Sequence, residues 1–595
     1  MCGIIGCVGR EDTLATLLAG LDALEYRGYD SAGVALAGNG LQMAKRAGEL
    51  DALRGALEER SLAGSVGIGH TRWSTHGAPT DANAHPHVDC TGEVAVVHNG
   101  IIENYQSLRE ELTADGHEFA SETDTEVLAH LVERALAGGA APERAVRDAV
   151  ARLEGSFAVA VVVAGVEAVF VARQDSPLVL GIGDDATYVA SDVPAFREHT
   201  ARVVYLDDGE FARLDADGYA VTTLAGDPRE KQVNTVEWDA EETGKSGYDH
   251  YMLKEIHEQP RALRQCLRGR VDELGGAAGV EADVTADRVQ FVACGTSYHA
   301  ALYGAALFRA AGVPAQAFYA HEYAVNTPPI EDDLVVGVSQ SGETADTLAA
   351  LRAARRRGAA TLAVTNVVGS TMARECDETL FIRSGPEIGV AASKTFSAQL
   401  CALNLLVLDL AGAGDTDVRD LVAALRDLPG DLQALLDNTD AGAVAREYVT
   451  SDAFFFIGRG LNHPVAMEGA LKLKEISYAH AEGFAAGELK HGTLALVTEE
   501  TPVVAVVTSD GEAARKTIGN VKEVEARSAP VIAVTDGVSD VGRYADHVLE
   551  IPATNPRTAA VLANVQLQLF AYHVANALGR PIDKPRNLAK SVTVE

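Results

Sequence analysis

The chain has few cysteines and no long apolar run, and each shortage excludes a class of protein. Its 7 cysteines among 595 residues lie far apart without paired spacing, so we expect neither a disulfide framework nor a zinc site. Apolar runs such as Val94–Val97 and Val503–Val507 are strand-length, far below the roughly 20 residues of a membrane helix. No basic region with an apolar core and cleavage site opens the chain, which predicts a cytoplasmic protein that does not contact membranes.

Positive charge is also scarce. The formal net charge is −35, and no lysine occurs between Lys45 and Lys231. Such a chain would be repelled by other polyanions, so nucleic acid and anionic membranes are not expected as partners. A carboxylate-rich surface of this kind is suited to concentrated salt, which screens its self-repulsion. We therefore expect a salt-adapted, halophilic protein, in which the few lysines inside motifs are informative.

The pattern of apolar residues and turns divides the chain into several parts. Residues 1–235 mix short β-type runs with helical patterns near 12–24, 103–114 and 123–137, which predicts an α+β domain with antiparallel sheets. A polar segment, 236–250, is predicted to be a linker. The remaining predicted parts are an α/β domain with lead-in helices at 251–440, a second α/β domain at 441–580 and a C-terminal tail at 581–595.

The two α/β domains are repeats of one another. The segments starting at Asp287 and Asp452 both run an apolar strand into a glycine turn and a helix, and those starting at Asp332 and Glu500 match in the same order. Alternating strands and helices predict a doubly wound parallel sheet in each copy.

The N-terminus carries a candidate nucleophile. If Met1 is removed, Cys2 holds a thiol beside a free α-amine, whose near-neutral pKa lets it accept the thiol proton. The alternative is a buried structural cysteine that opens a first strand.

Four further segments of the first domain supply groups that suit a small zwitterionic amide. Arg72 can pair with a carboxylate and Asp124 with an ammonium group. Asn99 and the amide of Gly100 can donate to an oxyanion beside the thiol. Taken singly, Arg72 and Asp124 would be ordinary surface charges. Five histidines of the same domain are expected to be structural rather than metal ligands: His70, His76, His85, His87 and His98.

Two turns in the first repeat are rich in hydroxyl groups. Each lies where a strand is expected to meet a helix start, a position that favours phosphate, although ordinary helix capping would explain one hydroxyl per turn. The equivalent turn after the second copy's strand, "TSDGEA", is acidic and would repel phosphate, so only the first copy is expected to bind it. The phosphate candidates are Cys294, Gly295, Thr296, Ser297, Ser339, Gln340, Ser341 and Thr344.

The second repeat has charged residues within an apolar helix. Lys472 and Glu475 share a helix face, although Glu468 and Lys472 also have the spacing of an ordinary surface ion pair. The apolar neighbours and the general avoidance of lysine favour a functional pair. His491 follows nearby and has a pKa suited to acid–base work.

These motifs, over essentially the whole length, resemble the glutamine–fructose-6-phosphate aminotransferase family. The resemblance implies an αββα N-terminal-nucleophile glutaminase domain followed by two sugar-isomerase (SIS) domains. It implies that Cys2 attacks the glutamine amide while Asn99 and Gly100 form the oxyanion hole. It further implies that Arg72 and Asp124 hold the substrate, and that Trp73, Thr75 and His76 gate ammonia or close over glutamine.

In the sugar half, the resemblance implies that the first repeat holds fructose 6-phosphate. By the same resemblance Glu475 moves a proton between C1 and C2, Lys472 assists, and His491 opens the sugar ring from the neighbouring subunit of a homodimer. The tail would cover the sugar, with Lys590 placed to form a Schiff base. Ala392 stands where the family pattern has serine, so Val390 and Ser393 are further candidates for sugar contact.

The resemblance implies an enzyme of hexosamine biosynthesis with two small-molecule substrates, L-glutamine and D-fructose 6-phosphate, and with no metal or organic cofactor. Two alternatives remain at this point. Another class II glutamine amidotransferase would share the first domain but would need a different acceptor site. A non-catalytic sugar-phosphate-binding regulator would have no use for Cys2, Glu475, His491 or Lys590.

Overall fold

The computed structural model describes residues 2–38, 40–58, 60, 62–74, 76–236, 244–271, 287–328, 330, 333–411 and 418–593. Thr75 and residues 237–243 of the predicted linker therefore lie outside the described residues. The chain forms two compact units, one of Met1–Thr243 with Ala589–Glu595 and one of Gly244–Leu588. The domain boundaries proposed from the sequence stay predictions.

The first unit is built on two antiparallel sheets. In spatial order, one sheet contains β15 (Asn234–Thr235), β11 (Arg202–Tyr205), β9 (Val179–Ile182), β10 (Thr187–Ala190), β1 (Gly3–Val8), β4 (Val66–Arg72), β2 (Ser31–Ala37) and β3 (Leu41–Ala47). The other contains β14 (Pro228–Arg229), β13 (Gly218–Thr223), β12 (Glu210–Asp215), β8 (Val169–Gln174), β7 (Gly155–Val163), β6 (Val94–Ile102) and β5 (His87–Val88).

Alternation along the strands places one face of each sheet against the other. Ala95 and Val97 of β6 pack in one apolar core with Ile4 and Ile68 of the first sheet. Val94 and Val96 point the opposite way, into a core formed with helices. The helices of this unit are α1 (Thr13–Leu24), α2 (Leu50–Leu57), α3 (Tyr105–Ala114), α4 (Glu126–Ala137) and α5 (Pro142–Val150). The αββα architecture expected from the sequence is confirmed.

The second unit contains two five-stranded parallel sheets with the same strand order. The first sheet runs β17 (Ala315–Tyr319), β16 (Arg288–Ala293), β18 (Asp333–Ser339), β19 (Ala360–Thr365) and β20 (Glu378–Phe381). The second runs β22 (His480–Ala485), β21 (Ala453–Gly458), β23 (Val503–Val507), β24 (Val531–Thr535) and β25 (His547–Glu550). The predicted repeat is thus confirmed.

Helices cover both sheets, which explains why strands such as β23 are apolar throughout rather than alternating. Helices from both repeats share one large core. They are α6 (Tyr251–Leu267), α7 (Gly295–Ala310), α11 (Lys394–Ala411), α12 (Val418–Asn438), α13 (Ala441–Glu447), α14 (Asn462–Ser477) and α16 (Pro556–Ala577). Two smaller cores contain the other helices: α8 (Ala320–Val325), α9 (Ala345–Arg356) and α10 (Thr371–Glu375) in one, and α15 (Glu512–Glu525) in the other.

By length and composition, a single helix in the described part of the chain, α11, could cross a membrane. The fold buries 78% of its apolar window, as expected for the central helix of a packed core.

Candidate functional site

Cys2 lies directly before β1, at the end of the strand where its pairing with β4 begins. Its Sγ accepts a hydrogen bond from the Trp73 amide at 3.2 Å and lies 3.4 Å from the Trp73 carbonyl. The Cys2 carbonyl accepts from Arg27 Nε at 3.2 Å and Asn99 Nδ2 at 3.0 Å. Gly3 has no room for a side chain, because a Cβ would lie 2.6 Å from Thr71 Oγ1. The packing therefore holds the thiol in a fixed position.

Asn99 and Gly100 lie on β6, in the sheet that faces β1. His70 Nε2 lies 3.1 Å from Asn99 Oδ1, and Asn99 Nδ2 also reaches Ser191 Oγ at 2.9 Å. Gly100 has φ of +125°, and a Cβ there would lie 2.0 Å from the Ser156 carbonyl. Only glycine fits this backbone path. The structure thus brings the Asn99 side chain to the Cys2 carbonyl, and its role as an oxyanion donor stays a prediction.

Arg72 and Asp124 are both buried, which rules out the reading of either as a surface charge. Arg72 donates to the carbonyls of His76, Gly77 (3.2 Å) and Ala78, and so holds the segment predicted to close over substrate. Asp124 accepts from the Ile102 amide at 2.8 Å. Two further residues predicted to belong to the glutamine site pack against tyrosine rings. Trp73 lies edge-on to Tyr29, and His76 lies edge-on to Tyr105.

Burial controls the protonation of this pocket. It raises the pKa of the Cys2 thiol, although nearby positive charge from Arg72 and Arg27 works in the opposite direction. Burial lowers the pKa of Arg72, which the charges of Cys2, Asp30 and Asp124 oppose. A thiol with a raised pKa is neutral at rest and needs a base before it can attack.

The remaining histidines form a buried group behind the site. Burial lowers the pKa of His70 to about 3 and places those of His85, His87 and His98 below their usual value, so these imidazoles are neutral. Thr125 Oγ1 lies 2.9 Å from both His85 Nε2 and His98 Nδ1. Their hydrogen bonds are those of a structural network.

In the second unit, the turn after β18 has the expected hydroxyl groups. Ser339 Oγ lies 2.9 Å from Thr344 Oγ1 and accepts from the Gly342 amide at 3.1 Å. Ser341 Oγ accepts from the Glu343 amide at 3.2 Å. Gly342 has φ of +64°, and a Cβ would collide with Ser370. This tight turn leads directly into α9, whose N-terminal amides and dipole favour an anion.

The helix start after β16 meets the charged helix of the second repeat. Thr296 Oγ1 donates to Glu468 Oε1 at 2.9 Å and accepts from Lys472 Nζ at 3.1 Å. Lys472 Nζ is also 2.6 Å from Glu475 Oε2. Ser297 Oγ accepts from Gln399 Nε2 at 3.1 Å. Thr296, a predicted phosphate residue of the first repeat, therefore contacts Lys472, a predicted proton-transfer residue of the second.

The surface interpretation of the Glu468–Lys472 pair is wrong. The two side chains are 0% and 1% exposed, and their charged atoms are 3.3 Å apart. Burial favours a neutral amine, but the charges of Glu468 and Glu475 outweigh it and hold the pKa of Lys472 above its ordinary value. Burial likewise opposes ionisation of Glu468, but Lys472 and His299 lower the pKa of that carboxyl. Lys472 is an ammonium ion inside the fold.

The other predicted residues each have surroundings of their own. His491 is exposed at the end of a 3-10 turn, Ala486–His491. Lys590 is half-buried and belongs to the first compact unit. Val390 donates its amide to the Asp583 carbonyl at 3.0 Å, and Ser393 is buried with its amide on Glu387 Oε1 at 2.9 Å.

Three predicted phosphate residues have other surroundings. Burial raises the pKa of Cys294, the N-cap of α7. Gly295 has φ of +52° at the start of that helix. The Gln340 carbonyl accepts from the Asn366 amide at 3.1 Å.

Sequence reasoning missed several residues that position these groups. Glu468 joins Thr296, Lys472 and His299, whose Nδ1 lies 2.7 Å from the carboxylate. Ser191 accepts from the Ile4 amide at 2.6 Å and so fixes the start of β1. Ser191 has no local motif that would mark it, because its partner is distant in sequence. The sequence marked Glu468 only as half of an ordinary ion pair with Lys472, because Thr296 and His299 are distant in sequence.

Comparisons with known proteins agree with this two-part organisation. Residues 70–198 match the model of the glutamine amidotransferase domain, and 284–409 and 448–577 match that of the SIS domain. Over the full length of both chains, this one is 54% identical to the glutamine–fructose-6-phosphate aminotransferase (isomerizing) of Halobacterium salinarum and 48% identical to that of Thermococcus kodakarensis.

Among solved structures, the C-terminal domain of the glucosamine-fructose-6-phosphate aminotransferase of Francisella tularensis matches with a TM-score of 0.53 and 36% identity. It aligns over its whole length with 57% of this chain.

Proposed function

The chain belongs to the glutamine–fructose-6-phosphate aminotransferase family, and we propose that it moves the amide nitrogen of L-glutamine to D-fructose 6-phosphate and isomerises the product to D-glucosamine 6-phosphate. L-glutamate is the second product. The similarity to these enzymes runs over the full length of the chain, so neither a regulator nor an amidotransferase with another acceptor fits it.

In the glutaminase half, Cys2 is the proposed nucleophile. Its thiol attacks the side-chain amide carbon, ammonia leaves, and water then hydrolyses the thioester to glutamate. Asn99 and Gly100 lie on β6, and Asn99 Nδ2 is 3.0 Å from the Cys2 carbonyl. The side-chain amide of Asn99 and the backbone amide of Gly100 are proposed to donate hydrogen bonds to the oxyanion. Arg72 and Asp124 would hold the carboxylate and ammonium groups of glutamine.

The raised pKa of the Cys2 thiol makes a base necessary. The α-amine that Cys2 gains on removal of Met1 has an ordinary pKa of about 7.7–8.0, low enough to be partly neutral at working pH. It would take the thiol proton and deliver it to the departing ammonia. Trp73, Thr75 and His76 are proposed to close this site and to direct the ammonia.

In the sugar half, the first repeat is proposed to bind the phosphate and the second to move the proton. The main support is the 3.1 Å contact of Lys472 Nζ with Thr296 Oγ1, because it joins the two sets of residues. Ser339, Ser341 and Thr344 would hold the phosphate. The other predicted residues of this site, including Gln340, Ser297, Cys294, Gly295, Val390 and Ser393, would line it.

Ammonia adds to the open-chain ketone at C2 with loss of water, and Glu475 then carries a proton from C1 to C2. Because Lys472 stays charged, it would stabilise the developing negative charge rather than act as the base. His491 is proposed to open the ring from a neighbouring subunit, and Lys590 to meet the ketose. A cytoplasmic, salt-adapted homodimer is part of the same proposal.

A product assay tests both halves. Wild type should form glucosamine 6-phosphate from fructose 6-phosphate with either glutamine or ammonium as donor. Cys2→Ala should lose synthesis from glutamine while keeping synthesis from ammonium. Full glutamine-dependent synthesis by Cys2→Ala, or a mass spectrum with Met1 attached to active enzyme, would show that the nucleophile is misassigned.

A further inference from the structure

Four metal-ligating side chains meet in the first unit, outside the residues proposed for either half-reaction. Cys90, His117, His130 and Glu133 each offer one ligand atom, and these atoms all lie within 4.8 Å of one another. They come from the turn between β5 and β6, the segment between α3 and α4, and α4 itself. His130 and Glu133 are three residues apart and so share one face of α4.

The spacing of the ligand atoms suits a tetrahedral ion. Around zinc, bonds of roughly 2.3 Å to sulfur and 2.0 Å to nitrogen place those atoms about 3.5 Å apart. Cys90 Sγ is 3.6 Å from His130 Nδ1 and 3.9 Å from His117 Nδ1. Glu133 Oε2 is 3.0 Å from His130 Nδ1 and 2.8 Å from His117 Nδ1. Small movements would bring all four atoms to bonding distance of one centre.

The surroundings orient the ligands toward this centre. His130 is buried with its Nδ1 facing the cluster, and its Nε2 lies 3.7 Å from Glu126 Oε1. A carboxylate behind the second ring nitrogen is the usual support of a metal-bound histidine. Glu126 is itself fixed, since it accepts from the amides of Ala120 and Ser121 at 2.7 Å. The Glu118 amide donates to Cys90 Sγ at 3.4 Å, which would stabilise a thiolate.

We propose that Cys90, His117, His130 and Glu133 bind one Zn²⁺ ion. Sulfur and imidazole ligands in a tetrahedral arrangement favour zinc over magnesium or calcium, which prefer oxygen. Four protein ligands leave no open position, so the ion is structural rather than catalytic. On binding, the Cys90 thiol releases its proton to solvent and its sulfur bonds to the metal.

The ion would tie α4 to two loops. Asp124, proposed to hold glutamine, lies two residues before the start of α4 at Glu126. Zinc would therefore fix the helix from which the substrate-binding segment extends. No sequence motif marks this site, and no zinc site was expected, because Cys90 and His117 are 27 positions apart and His117 and His130 are 13 positions apart. Common zinc motifs have short paired spacings instead.

Metal content measured on the full-length protein tests the proposal. Wild type purified after growth with added Zn²⁺ and extensive dialysis should hold about one zinc per chain by mass spectrometry of the metal. Cys90→Ser and His117→Ala, both near the surface, should lose most of it. Cys2→Ala and Cys376→Ser are matched controls and should keep it. Equal zinc in wild type and Cys90→Ser, or loss of zinc in Cys2→Ala alone, would overturn the proposal.

Two further measurements on the wild-type fold make the result independent of variant stability. Co²⁺ added to metal-free protein should give a tetrahedral spectrum with a thiolate-to-cobalt charge-transfer band. Zn²⁺ should protect Cys90, but not Cys376, from alkylation by iodoacetamide. Alkylation of Cys90 at the same rate with and without Zn²⁺ would contradict the proposal. These readouts need no enzymatic activity, so they fail or succeed separately from the proposed aminotransferase function.

Discussion

The two repeats of the second unit have the same strand order but different side chains at corresponding positions. Tyr303 and Leu307 of α7 stand 165 positions before Glu468 and Lys472 of α14. Both residues of the first copy are buried, and Tyr303 donates to the Arg557 carbonyl at 2.9 Å. The two corresponding positions are thus core residues in one copy and a buried ion pair in the other.

In the turns that follow the strands, it is the first copy that carries the candidate functional groups. In the first copy, Ser339, Ser341 and Thr344 surround the turn after β18 with hydroxyl groups. In the second copy, the Asp536 carboxylate accepts hydrogen bonds from the Ser509 amide at 2.8 Å and the Val538 amide at 3.2 Å. These backbone donors are therefore already paired with a carboxylate. This carboxylate would repel a phosphate. Under the proposed function, the first copy binds the phosphate and the second moves the proton, on two sheets with the same strand order.

The largest effect should come from Glu475→Gln in the second copy. Removal of the proposed proton carrier should lower glucosamine 6-phosphate formation by about 10²–10⁴-fold. Glutamate release by Cys2 and binding of fructose 6-phosphate should persist. Glu512→Gln, a change of an exposed carboxylate on α15, is the control. A normal rate in Glu475→Gln would remove the main functional difference between the copies.

Next, the buried lysine should matter far more than its apolar counterpart. Lys472→Met leaves Glu468 buried without its cation and should lower the free energy of unfolding by about 3–5 kcal/mol. Leu307→Met, at the equivalent position of α7, conserves volume and should cost under about 1.5 kcal/mol. Urea denaturation followed by circular dichroism measures both. Similar losses of unfolding free energy in the two variants would mean that the Glu468–Lys472 ion pair contributes little to stability.

A smaller difference is expected between the two turns. Ser341→Ala removes a proposed hydrogen bond to a charged phosphate, worth about 1.5–3 kcal/mol, or roughly 10–100-fold in affinity. Calorimetric titration with fructose 6-phosphate should show this loss. Ser509→Ala, a loss of a hydroxyl group from the corresponding turn after β23, should leave the affinity unchanged. If both variants weaken binding equally, phosphate is not confined to the first copy.

Ser393→Ala should have the smallest effect. This residue lies in the segment between β20 and α11, which is longer than the corresponding segment between β25 and α16. Its Oγ lies 3.4 Å from Glu387 Oε1, too long for a strong hydrogen bond. A loss of stability below about 1 kcal/mol and only a small rise in the KM for the sugar are expected, since one neutral hydrogen bond is worth about 0.5–1.5 kcal/mol. An unchanged KM would remove Ser393 from the proposed sugar site.

The fold could be predicted because apolar alternation and turn residues are local signals. Cys2 could also be selected as a candidate nucleophile from the sequence, because it is the second residue and would stand beside a free α-amine once Met1 is removed. The ion pair in α14 was harder, because that helix is buried on most of its circumference and has no polar face to compare with. An ion pair between residues four positions apart has the same sequence pattern on a surface and in a core. Only the packing of Thr296 and His299 against Glu468 shows that this pair is buried.

The contact of Lys472 with Thr296 also has an evolutionary consequence. A gene duplication gives two complete sites, and loss of complementary parts then makes each copy depend on its sibling. Because both copies are on one polypeptide, their stoichiometry is always one to one, and no unmatched half can accumulate. Reversion would need several simultaneous changes in a packed core, so such a division of labour is entrenched once it has formed.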